Sequence, residues 1–146
     1  MLNIENLTTH TMDYQQLENI SKLLTVREID LSICDNAQIR EYNKTYRNKD
    51  STTDVLSFPI DNDTIDTNQN IMPLGSIVIS IDYARNKAKE LKHSIDDEIS
   101  LLFIHGLLHI SGYDHECDNG EMRKKEEEMI HSFNLPKSLI IRTEGN

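Results

Sequence analysis

The sequence predicts an α+β fold, with one mixed sheet of about four strands and a buried central helix beneath it, on two observations. Segments of strand-like and helix-like periodicity follow one another in the order strand, helix, strand, helix, strand, strand, helix, helix, helix. The stretch from Ile95 to Ile110 carries Leu101, Leu102, Phe103, Ile104, Leu107 and Leu108 around its whole circumference, and a helix that is apolar on every side is buried. The 146 residues suit one domain, 1–146, with a single core, long enough to bury about two thirds of the surface of the unfolded chain.

Each element has its own local cause. Leu2 and Ile4 alternate with Asn3 and Glu5, a short strand. Asp13 followed by Gln16 starts a helix with Tyr14, Leu17, Ile20 and Leu24 on one side. From Glu28 to Ile33 the alternation is complete, which gives a half-buried strand. Asp35 and Asn36 cap a helix whose inward stripe is Ile39, Tyr42 and Tyr46 and which ends at Arg47. Val55 to Phe58, closed by Pro59, is a strand, and the polar run Asp61 to Asn70 is a solvated loop. Pro73 and Gly75 lead into Ile77, Val78 and Ile79, apolar on both faces and so an interior strand. Asp82 caps a helix with Ala84, Ala88 and Leu91 inward. Ser94 with Asp97 caps the central helix, roughly 24 Å long at about 1.5 Å per residue. Asn119 to Phe133 is a charged helix with Met122, Met129, Ile130 and Phe133 as its apolar stripe. The tail from Pro136 carries no clear pattern.

Composition narrows the function classes. A formal charge of −10 disfavours unspecific adhesion to nucleic acid or anionic lipid, so a polyanionic substrate would have to meet a local cationic patch. Cys34 and Cys117 are the only cysteines, which suggests a reducing, cytoplasmic setting. The sequence has neither an apolar run long enough to span a membrane nor a secretory pattern at its start.

The chemistry concentrates in HGLLHISGYDH, from His105 to His115. Residues four apart share one helix face, so His105 and His109 can present two ring nitrogens to one cation. Gly112 then allows the backbone to leave the helix in the left-handed conformation and to bring His115 to the same ion. Three neutral nitrogens leave a tetrahedral position open, as at catalytic zinc. The alternative, ordinary histidines near a helix end, leaves the ring nitrogens of a buried helix without a common partner. Asp114 is placed either to orient a ligand imidazole or to cap the turn. Cys117 is set aside as a ligand.

The spacing matches the metzincin protease pattern HExxHxxGxxH, except that Gly106 stands where that pattern has its general base. Peptide hydrolysis is therefore disfavoured unless another carboxylate reaches in, whereas a phosphodiester could use the same metal with cationic help.

HGLLHISGYDH together with NKTYRNKDSTTDVLSFP, from Asn43 to Pro59, resembles the YbeY-type bacterial endoribonucleases, and the resemblance extends over nearly the whole chain. It implies zinc bound by His105, His109 and His115, with Arg47 as the functionally important arginine. It further implies a zinc-dependent, single-strand-preferring endoribonuclease of ribosomal RNA maturation and ribosome quality control, using metal-activated water. Its partners would be RNA, chiefly ribosomal RNA, and the ribosome or its proteins, with no membrane partner. The family commonly has an aspartate where this chain has Ser76. The competing readings are a metzincin-like peptidase and a non-catalytic ribosome-assembly factor with a structural metal.

Overall fold

The computed structural model describes residues 1–60, 72–114 and 116–136. The expected loop Asp61 to Asn70, His115, and the tail beyond Pro136 lie outside the described residues. The order of elements is the expected one: β1 (Leu2–Asn6), α1 (Tyr14–Leu24), β2 (Ile29–Cys34), α2 (Asn36–Arg47), β3 (Val55–Pro59), β4 (Gly75–Ser80), α3 (Ile81–Leu91), α4 (Ile95–Ile110) and α5 (Glu121–Ser132).

The four strands form one mixed sheet in the order β1-β2-β4-β3. β1 runs parallel to β2 and β2 parallel to β4, while β3 lies antiparallel on the outer edge of β4. Side chains alternate between faces along a strand, so the sheet has two coats. Ile29, Leu31, Ile33, Ile77 and Ile79 join the residues of α4, α1 and α5 in the main core. On the other face Leu56 and Val78 meet Ile39 of α2 in a smaller cluster that also holds Cys34. Burial pushes the Cys34 thiol up to about 12, which makes it a core side chain rather than a reactive one.

The local starts are those expected for α1, α2 and α4: the side chains of Asp13, Asp35 and Ser94 accept from the amides of Gln16, Gln38 and Asp97. For α3 the expectation needs correction. β4 runs into α3 without a loop, so Ser80, still extended, is the cap and accepts from the Tyr83 amide. Asp82 instead accepts from the Asn36 amide at the start of α2, at 2.8 Å, tying two helices together. The inward stripes also differ at their ends. Tyr14, Tyr46 and Leu91 are exposed, and the buried partner of Ile39 on α2 is Asn43, whose side chain donates to the Ser51 carbonyl and holds the loop before β3. At the start of α4, Glu98 is fully buried and meets His93 Nε2 at 2.8 Å, closing the turn from α3.

α4 crosses beneath β3 and β4, and Gly106 lets it come close. A Cβ there would stand 3.1 Å from Ile77 Cγ2 and 3.3 Å from Val55 Cγ2. Among the described residues no helix is long and apolar enough to cross a membrane.

Candidate metal centre

His105 and His109 project from the last turns of α4, and their Nε2 atoms lie 3.2 Å apart. Two nitrogens bound to one zinc at about 2.0–2.1 Å with a tetrahedral angle would be separated by about 3.3 Å. The pair is thus already spaced as one edge of a zinc tetrahedron. The Nδ1 of His105 lies 2.9 Å from Glu126 Oε2 on α5, and this carboxylate is buried. With Glu126 accepting from Nδ1–H, the lone pair of His105 is left on Nε2, facing His109. This is the arrangement by which a carboxylate fixes the tautomer and ring orientation of a metal ligand.

The chain leaves α4 as the glycine suggests. Gly112 has φ +103, its amide donates to the His109 carbonyl, and the Tyr113 amide donates to that of Leu108. These paired bonds form a Schellman turn, which satisfies the last helix carbonyls and redirects the chain across the mouth of the site. Asp114 follows in that turn. Its carboxylate accepts from the Glu116 amide and its carbonyl from the Cys117 and Asp118 amides, so it organises the loop on either side of position 115. The Asp114 carboxylate also raises the thiol of exposed Cys117 above its usual range, which disfavours the thiolate that a metal would require.

Arg47, the last residue of α2, lines the same cleft as His105, His109 and Asp114, with Asp54 and Ser57 on the β3 side. The cleft has a volume of about 570 Å³. A terminal nitrogen of Arg47 donates to the Ser57 carbonyl at 2.7 Å, and its guanidinium carbon lies 5.5 Å from the centre of the Phe58 ring. Neither aspartate that might have neutralised Arg47 does so. Asp50 pairs with Arg40, and Asp54 accepts from its neighbours, the Val55 amide and the Thr53 hydroxyl. The basic run on α3 contributes nothing to the lining, and within it Arg85 and Lys87 pair with Asp82 and Glu90. Ser76, where an aspartate would follow the resemblance, lies across the sheet in a groove against α2 and away from the histidines.

Glu126 is the residue of the site that no motif in the sequence marks. Its signal was present: it falls four residues after Met122 and three before Met129, inside the apolar stripe of α5 and not on its charged side.

The model of the family described as Endoribonuclease YbeY matches residues 2–134. An Endoribonuclease YbeY of Nautilia profundicola is 54% identical over 144 residues, 99% of this chain and 99% of its own length. One of Aliarcobacter butzleri is 55% identical over 143 residues, 97% of this chain and 99% of its own. The solution structure of a Thermotoga maritima protein superposes with a TM-score of 0.61 at 23% identity, covering 92% of each chain, and supports the fold alone.

Proposed function

The chain belongs to the YbeY endoribonuclease family, and from that premise we propose that it is a zinc-dependent enzyme that cuts single-stranded RNA. We place its substrate in ribosomal RNA, its role in maturation and ribosome quality control, and its action in the cytoplasm. The observation that carries this reading is the meeting of Arg47 with the paired imidazoles in one open cleft.

His105, His109 and His115 would hold the zinc, which when bound supplies a Lewis acid and a water whose ionisation falls near neutrality. The residues of the chain do the rest. Glu126 keeps His105 in the required tautomer. Arg47, tethered at one nitrogen by Ser57, retains donors that no described residue engages, and a guanidinium can grip a phosphoryl oxygen pair with parallel hydrogen bonds. In this way one cation placed in the cleft serves a polyanion on a body with a net charge of −10.

The edge of β3 speaks against a peptide substrate. The bonds from the Ser80 amide to the Asp54 carbonyl and from the Ile60 amide to the Leu74 carbonyl make the even positions of β3 the ones hydrogen-bonded to β4, so the backbone groups of the odd ones face outward. Of these, the Val55 amide is taken by Asp54, the Ser57 carbonyl by Arg47, and Pro59 has no N–H to offer. A peptide added as a further strand would find these groups occupied or missing. A purely structural metal is disfavoured by the open cleft beside it, since structural sites are closed.

RNA binding measured over a salt series tests the role of Arg47. Each phosphate neutralised on a single strand contributes a slope of roughly −0.7 in log K against log salt. Arg47→Ala should flatten the slope by about 0.7 to 1, and Arg123→Ala, on α5 outside the cleft, should leave it nearly unchanged. Equal slopes in the two variants would remove Arg47 from the phosphate contact.

A further inference from the structure

On the face of the sheet opposite the histidines, Tyr42, Tyr46 and Phe58 wall a groove of about 370 Å³, with Ser32, Ser76 and Val78 beneath them. The Tyr42 and Tyr46 rings stack with centroids 6.2 Å apart, and Phe58 meets Tyr46 edge-on at 5.6 Å. Tyr46 remains 66% exposed, so the far side of an otherwise braced ring faces solvent. The hydroxyls of Ser32 and Ser76 have no hydrogen-bond partner among the described residues, and none of the six lining residues is charged.

We propose that this groove is a nucleobase subsite of the same RNA site: a base next to the cleaved bond stacks on Tyr46, with the serine hydroxyls toward its polar edge. The inference rests on the endoribonuclease reading and adds where the flanking nucleotide goes.

Three observations select this occupant. The groove adjoins the cleft at Arg47, which lines the cleft beside Ser57, donates to the Ser57 carbonyl at the free edge of β3 and packs on the Phe58 ring of the groove. β3 is an edge strand, so a single strand can pass over it from one face to the other. Charge is divided as a nucleotide requires, with uncharged aromatic walls for the base and Arg47 and Lys49 exposed on the adjoining helix end and turn for phosphates. Aromatic side chains beside a cationic track are how single strands are held without a sequence code.

The test uses full-length, zinc-loaded protein and a single-stranded ribosomal RNA oligonucleotide carrying one abasic residue at successive positions around the cleaved bond. On wild type, one position beside that bond should weaken binding by about tenfold when abasic, the scale of one base–aromatic stack. Tyr46→Ala should bind the intact oligonucleotide about tenfold more weakly and be indifferent to the abasic residue at that position, and Tyr46→Phe should behave as wild type. Because Tyr46 is exposed, an unchanged thermal melt is expected of both variants. Cleaving protein whose abasic penalty is the same with and without Tyr46 would overturn this inference and leave the endoribonuclease reading standing. So would Tyr46→Ala keeping full RNA affinity while losing affinity for a lysine- and arginine-rich peptide, which would give the groove to a protein partner. Wild-type protein that cleaves no RNA would overturn the parent reading, and this one with it.

Discussion

Replacing His105, His109 or His115 by alanine is expected to take the zinc content from about one equivalent per chain to traces, because each change leaves a three-nitrogen site with two protein ligands. Glu126→Gln should keep all three ligands and still weaken zinc binding by about 10- to 100-fold, since the buried carboxylate that orients His105 loses its charge. Metal analysis of protein prepared without chelator, followed by titration with a competing chelator, separates the two effects. All four variants should remain folded, because the sheet and α4 are held by the apolar core. A full equivalent of zinc in all three alanine variants would mean that the ion sits elsewhere, and unchanged affinity in Glu126→Gln would deny the carboxylate its role.

Restoring the protease glutamate is expected to cost the fold and not to create a protease. Gly106 faces Ile77 and Val55 on the sheet, where even a Cβ would be crowded, and a glutamate would add a buried carboxylate without a partner. Gly106→Glu should lose on the order of 4 kcal/mol or more, lowering the melting temperature by about 10 °C or preventing folding. Gly106→Ala is the control: a helix-propensity gain of about 1 kcal/mol opposes the crowding, so its melt should stay near that of the wild type. A Gly106→Glu protein as stable as wild type that digests casein would show that the missing base is an accident of sequence and not a demand of packing.

The parts of the fold that depend on local periodicity were legible: nine elements in order, three of the four expected caps, and a central helix apolar all round. So were the pairing of His105 with His109 and the turn at Gly112, because both are properties of one helix and its exit. What could not be read depends on tertiary choice. Ser80 displaces Asp82 as a cap only because β4 continues directly into α3, and Asp82 is then drawn to α2. Tyr46 has the spacing of a buried residue, yet the end of α2 projects past the small cluster around Ile39, and the ring stacks at the surface. Arg47 shares a cleft with the histidines because β3 turns back on the outer edge of β4, a pairing that no local pattern specifies. Glu126 could have been found from its place in an apolar stripe, but its partner could not, since that requires α5 to lie against α4.

Whether this cleft acts on phosphodiester or on peptide bonds is decided by incubating the zinc-loaded protein with single-stranded ribosomal RNA and, in parallel, with casein. The wild type should yield RNA fragments, His109→Ala none, and both should leave casein intact. Casein digestion that disappears with His109→Ala, beside RNA left whole, would make the cleft a peptidase site.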